Sequence, residues 1–206
     1  MACGTLARRA SSEPSPNYDS FPRRRLTAEE LRDTLLAVSG DLDRTPGTTH
    51  PFPPEATWSF TQHGPFAAEY DTLKRSVYVM QKRNRRGRFF ALFDGPDPNA
   101  STPLRDVTTV PTQALFFLND PFVHAQAAKF AARIVASSSD DRVRLDFACR
   151  QLFGRSATDD EHTDAKDFLT QYAAATTSSA TEKSRIEAWI AYSRVLMSSN
   201  ELLSID

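Results

Sequence analysis

Asp120-Pro121-Phe122-Val123-His124-Ala125-Gln126-Ala127-Ala128-Lys129-Phe130-Ala131-Ala132-Arg133-Ile134 decides the fold class. Asp120 offers a side-chain oxygen to the unpaired amides of a helix start, and Pro121 stands at the first helical position, where its missing N–H does no harm. Val123, Ala127, Phe130 and Ile134 recur at the spacing that places them on one helical face. Pro121 is also the last of 13 prolines, and of the 7 glycines only Gly154 lies beyond it. Proline and glycine interrupt regular structure, so the chain after Pro121 is free to run as helices and the chain before it is loop-rich.

Working outward from this helix, a second is predicted from about Asp140 to Phe153, with Leu145, Ala148, Cys149 and Leu152 inward and Gly154 as its stop. Thr158-Asp-Asp-Glu161 is a capping box that opens a third, carrying Ala165, Phe168, Leu169 and Tyr172. Thr176 to Thr181 reads as a polar connector. The last helix then runs from about Glu182 to Ser198, with Ile186, Trp189, Ile190, Leu196 and Met197 inward. On the N-terminal side, Thr109 to Leu118 forms a short helix with Pro111 in its first turn.

Residues 1–22 are poor in large apolar side chains and contain Ser11-Ser-Glu-Pro-Ser-Pro16, a composition expected to be disordered. Residues 23–110 form a loop-rich part. There Thr27-Ala-Glu-Glu30 caps a helix that buries Leu31, Leu35 and Val38 and ends at Gly40. From Asp41 to Phe66 the prolines and glycines are too dense for a long element. Ser76-Val-Tyr-Val-Met80 is the best strand candidate, with Ala56-Thr-Trp-Ser-Phe60 as its partner. The expected fold is mainly α: one helix and a minor strand pair in front, then a compact bundle of about five helices over residues 111–206.

Charge narrows the function. The chain has 206 residues, with 25 Lys and Arg against 26 Asp and Glu, and a formal charge of -1. That balance argues against a protein that coats nucleic acid or an anionic membrane. The longest apolar run, Ala114 to Leu118, is far too short to span a bilayer. The first ten residues lack the apolar core of a secretory signal, so the chain as written is expected to stay in the cytoplasm. Cys3 and Cys149 are too few for a disulfide framework or a zinc cluster. No Cys-x-x-Cys-His motif offers a covalent haem site. His50, His63, His124 and His162 lack metal-ligand spacing, and no glycine-rich nucleotide loop is present.

Three places could carry chemistry. Lys82-Arg83-Asn84-Arg85-Arg86-Gly87-Arg88 concentrates five cations and is followed by Phe89-Phe90. It reads either as a phosphate or RNA contact, with arginines on the backbone and a ring on a base, or as a solvated loop. Asp94-Gly-Pro-Asp97-Pro-Asn99, shortly before Arg105, groups three oxygen-bearing side chains. Calcium favours such ligands, though the spacing is not that of an EF-hand and the same residues form turns. A buried Arg105 bonded to one of these carboxylates also suits a turn. Gln113 and His124 fall on adjacent helices, where acid–base work is conceivable. Asn119-Asp120 supplies a cap, and Glu201, unfavourably placed at a helix C-terminus, hints at a partner. No serine sits in a nucleophile elbow.

Taken in order, Arg24-Arg-Leu-Thr-Ala-Glu-Glu-Leu-Arg-Asp33, Ser39-Gly40 with Leu42, Arg75-Ser-Val-Tyr78, Phe93-Asp-Gly-Pro-Asp-Pro-Asn99, Arg105, Gln113-Ala-Leu115, Asn119-Asp-Pro-Phe122 and Ser199-Asn-Glu201 resemble planctomycete-specific domain one, a domain of unknown function (DUF1553). The resemblance runs from about Arg24 to Asp206. It implies an exported bacterial protein acting in the periplasm or at the cell surface, with an upstream cytochrome-c-like domain and a companion domain as partners. Any haem then belongs upstream, and this chain holds no cofactor. No activity or catalytic residue is defined for the domain. The first half of the domain, the signal peptide and the haem motif are missing here, and Leu202 and Ser204 stand where an aromatic is more usual. The chain is therefore expected to be a C-terminal portion whose helices expose a face that the missing half covers. Its expected role is an accessory or interaction module. The alternative is an enzyme, polysaccharide-directed or redox-linked, in which Asp94, Asp97, Asn99 and Arg105 converge with Gln113 and Asn119. A third reading is RNA binding through Lys82, Arg83, Arg85, Arg86 and Arg88.

Overall fold

The computed structural model describes residues 23–48, 52, 54–57, 70–83, 86–101, 103–176 and 182–205. Among these residues it is mainly helical. The helices are α1 (Ala28–Ser39), α2 (Arg88–Leu92), α3 (Pro111–Asn119), α4 (Pro121–Ser137), α5 (Asp141–Phe153), α6 (Asp159–Thr176) and α7 (Glu182–Met197). One small antiparallel sheet pairs β1 (Arg24–Arg25) with β2 (Ser204–Ile205). Expectations for residues 1–22, and for the connector 177–181, lie outside the described residues.

The chain starts its helices where its local chemistry directs. Thr27 Oγ1 accepts from the Glu30 amide while the Glu30 carboxylate accepts from the Thr27 amide at 2.9 Å, so both ends of the capping box form. The Asp120 carboxylate accepts from the Phe122 amide at 2.9 Å and caps α4. Thr158 and Glu161 repeat the reciprocal cap at the start of α6. Helix α4 is the axis of the molecule. Its stripe of Val123, Ala127, Phe130 and Ile134 is fully buried, and it packs against α7, α1, α5 and α3. Leu31, Leu35 and Val38 of α1 and Leu145, Ala148, Cys149 and Leu152 of α5 complete this core.

Arginines finish two of the helices. The four last carbonyls of a helix lack intrahelical donors, and a guanidinium supplies several at once. Arg133 of α4 donates to the carbonyls of Ala37 and Val38 at the end of α1. Buried Arg144 of α5 donates to the carbonyls of Val135 and Ser138 at the end of α4, and to Asp141 at 2.9 Å. These contacts tie each helix end to the helix that follows it in the packing.

The strand expectation is corrected. Ser76–Tyr78 is a 3-10 turn, and so is Glu55–Thr57; residues 58–60 lie outside the described residues. Side chains of α1 hold Ser76, and the Tyr78 and Val79 amides bond the Arg75 and Ser76 carbonyls within the turn. Asp33 accepts from both the amide and the hydroxyl of Ser76, at 2.8 and 2.7 Å, and the Arg32 guanidinium donates to Ser76 Oγ and to the carbonyls of Thr72 and Lys74. The sheet that does form closes the described chain on itself. Arg24 faces Ile205, Arg25 faces Ser204, and the Leu26 amide reaches the Leu203 carbonyl at 2.8 Å.

The inward face of α7 is also corrected at one position. Ile186 is 37% exposed, because the buried face follows Ser184, Ala188, Trp189, Tyr192, Ser193 and Met197, a phase offset from Ile186. Helix α2 was not anticipated. Its Phe89 and Phe90, with Phe93 just beyond it, enter an aromatic cluster with Phe116, Phe117 and Phe122.

Candidate functional site

The Asp94–Asn99 turn leaves α2 through a left-handed residue, Asp94, with φ of 58°. An aspartate tolerates that conformation better than most residues, since its short side chain can bond nearby. The Asp94 carboxylate accepts from the Thr108 amide at 2.7 Å and from the Thr108 hydroxyl at 2.9 Å, holding the approach to α3 against the end of α2. Gly95 follows because a Cβ there would meet Phe90 Cβ at 2.7 Å and the Phe90 carbonyl at 2.8 Å. Asp97 accepts from the Asn99 amide at 2.9 Å and from Arg86 at 3.1 Å, and Asn99 Nδ2 donates to the Arg83 carbonyl. The oxygens that resembled a calcium site serve as bonds within the turn. Among the described residues no group of three His, Cys, Asp or Glu side chains is arranged to hold a metal.

The electrostatics of the turn point the same way. Proton transfer from a carboxyl at neutral pH needs a raised pKa. The Asn99 amide and then the Arg86 guanidinium hold Asp97 below the usual carboxylate range.

The other candidates are placed separately. Arg105 is exposed rather than buried, and it pairs with Glu29 of α1 at 2.8 Å, away from the turn carboxylates. Gln113 is buried. Its Nε2 donates to the Leu92 carbonyl at 2.9 Å and its Oε1 accepts from Arg25 at 2.8 Å, which links β1, α2 and α3. Asn119 Nδ2 donates back to the Leu115 carbonyl. His124 Nε2 donates to the Leu118 carbonyl at 2.8 Å, so this histidine finishes α3. The six polar candidates therefore divide into a turn, a surface ion pair, a buried bridge and a helix end.

The basic loop is anchored by the same turn. Arg86 spans the Gly95 carbonyl and Asp97, and Arg88 lies 3.4 Å from Asp120. Arg85 is outside the described residues. Phe90 is buried in the core and Phe89 packs against it, so neither ring is presented for base stacking. Between α2 and α3, however, an open groove of about 700 Å³ remains, lined by Arg86, Arg88, Ala91, Leu92, Thr112, Leu115, Phe116, Asn119, Asp120 and Pro121.

One constellation has no counterpart in the sequence reading. Arg155, just past Gly154, makes two-pronged pairs with both Glu161 (2.7 and 2.8 Å) and Glu201 (2.7 Å twice), and its guanidinium lies 5.5 Å from the centre of the Phe153 ring. The partner that Glu201 called for is therefore within the chain. Arg155 holds Glu161 well below its ordinary value, at about 2, and the two carboxylates push the arginine higher still. Glu161 reads as a capping residue from its local motif; the rest of the clasp depends on Arg155 and Glu201, 46 positions apart, meeting.

A family model described as PSD1, protein of unknown function (DUF1553), matches residues 7–169. The chain belongs to this family. No curated protein and no solved structure matches it. The PSD1 match takes in the Asp94–Asn99 turn, the basic loop and the groove. Glu201, α7 and β2 lie beyond it, and the match begins at residue 7, ahead of Arg24, where the resemblance begins. Among the described residues of this PSD1 member, no helix is long and apolar enough to cross a membrane.

Proposed function

We propose that this chain is an accessory, non-catalytic interaction module of a larger exported bacterial protein that also carries cytochrome-c-like domains, and that it acts outside the cytoplasm. The observation that carries this reading is a contrast. The side chains with chemical potential, Asp94, Asp97, Asn99, Arg105 and Gln113, are engaged in bonds that hold loops to helices, while an apolar groove between α2 and α3 stands open. In this reading haem chemistry belongs to an upstream domain, consistent with the lack of a Cys-x-x-Cys-His motif in this sequence. Membership of a family of unknown function is compatible with such a role.

The test has two parts. The purified chain is melted by circular dichroism with and without calcium, and its sedimentation is followed with separately expressed cytochrome-c-like and companion domains. A cooperative helical melt, unmoved by calcium, together with a defined complex is the expected outcome. Turnover of a polysaccharide or redox substrate that Asp97→Asn abolishes without lowering the melting temperature would overturn the module in favour of an enzyme.

A further inference from the structure

The face of α3 that points away from α4 is apolar and uncovered. Leu115 is 54% exposed and Leu118, one turn further on, 52%. Leu115 borders the α2–α3 groove, whose floor is Leu92 and Phe116, and the same groove carries Arg88 on its rim. Arg88 is 74% exposed at its side chain, and Asp120 at 3.4 Å is the carboxylate within ion-pair reach of it among the described residues. Asp120 caps α4 through its other oxygen, and the Arg88 side chain is left mostly exposed. Arg86 adds a second cation at the same end, tethered to Asp97.

We infer that this groove docks an acidic amphipathic helix of a partner domain, with leucine-like anchors on Leu92, Leu115 and Phe116 and a carboxylate on Arg88. The inference rests on the module reading above and names its surface. Two helices form the groove walls, and no sheet edge is offered there, so the fitting geometry is helix-in-groove and not strand addition. The cationic rim selects the sign of the partner, because opposite charge steers encounter and like charge is rejected. A second copy of this chain fits poorly. Its most acidic helix start, in α6, has Glu161 locked to Arg155 and Asp159 paired with Arg142, and the exposed positions that follow are Thr163, Asp164, Lys166, Asp167 and Thr170, which offer no apolar anchor.

The experiment uses the full chain and fluorescence anisotropy. The probes are a labelled synthetic helix with leucines at i, i+3 and i+7 and glutamates between them, the same helix with lysine for glutamate, the same helix with serine for leucine, and a labelled oligouridylate. The glutamate–leucine helix is expected to bind, and the other two peptides to bind at least about tenfold more weakly. Leu115→Glu weakens it by a similar factor with an unchanged melting curve, since the side chain is exposed, while Leu118→Glu, exposed but outside the groove lining, leaves binding unchanged. Arg88→Glu reverses the preference between the glutamate and lysine helices. Equal binding of both charged helices, indifference to the Leu115 and Arg88 substitutions, or oligouridylate as the only ligand overturns the proposal. If no peptide binds while the companion domain still forms a complex, the groove assignment fails and the module reading stands. If neither binds, both fail.

Discussion

Cys149 sits in the centre of the bundle, and burial pushes its thiol up to about 11. A thiol that remains protonated and covered is a poor nucleophile. In a Cys3→Ser background, iodoacetamide at neutral pH should therefore label Cys149 in denaturant and leave the native protein unmodified; rapid native labelling would show that the core opens there. Gly95 makes a different residue-scale case. A methyl at this position meets the Phe90 backbone, which cannot swing aside as a flexible side chain can. Gly95→Ala is expected to lower stability by about 1–3 kcal/mol in urea titration, the range for forced overpacking. An unchanged midpoint would mean that the turn relaxes away from α2.

At the scale of elements, α3 offers a controlled comparison because adjacent residues face opposite environments. Phe117 is buried against Phe93 and Phe116, and Leu118 is exposed. Phe117→Ala should cost about 3–5 kcal/mol through lost burial and a residual cavity. Leu118→Ala should stay within about 0.5 kcal/mol. Equal costs in chemical denaturation would mean that the outward face of α3 is covered in solution, for example by self-association. The end of α5 is set by backbone conformation instead. Gly154 takes φ of 72°, with open space where a Cβ would sit, so Gly154→Ala should cost about 1 kcal/mol from left-handed strain and not from a clash.

The whole molecule is closed by contacts between distant parts of the chain. β1 pairs with β2, and Arg155 clasps Glu161 and Glu201 together. Several of its carboxyls are displaced downward, Glu30 and Glu161 among them. Arg24 chiefly holds Glu30 at about 2, and Arg155 chiefly holds Glu161 at about 2, both below the ordinary 4.5. A carboxyl whose folded pKa is depressed adds stability above its unfolded pKa and loses it as pH falls through the folded value. The melting temperature should therefore fall as pH drops from about 4.5 to about 2, and Glu161→Gln should flatten that fall. The same acid slope in Glu161→Gln and in the unsubstituted chain would show that the clasp does not form in solution.

The helices and their starts were legible in the sequence because their causes are local. A capping box, a proline at the first turn, a glycine after the last turn and an apolar stripe each act within a few residues, so Thr27–Glu30, Asp120-Pro121 and Thr158–Glu161 announce themselves. The core stripe of α4 followed from periodicity alone. The strand pair did not. Ser76–Tyr78 has β-rich composition, yet Asp33 and Arg32 of α1 pin Ser76 in a 3-10 turn, while arginine-rich Arg24–Arg25 finds its hydrogen bonds at Ser204–Ile205. The candidate polar cluster was recognisable as a turn, but its allocation to Thr108, Arg86 and Arg83 was not. The separation of Arg105 from that turn, toward Glu29, was equally hidden. By itself the sequence determined the helical class, the approximate bounds of every helix except the short α2, and the family resemblance, since short-range capping and burial periodicity are written in neighbouring residues. Only the tertiary structure decided which strands pair, which arginine answers Glu201 and where an apolar groove stays open. Those outcomes depend on side chains far apart in the chain competing for the same hydrogen bonds and the same buried space.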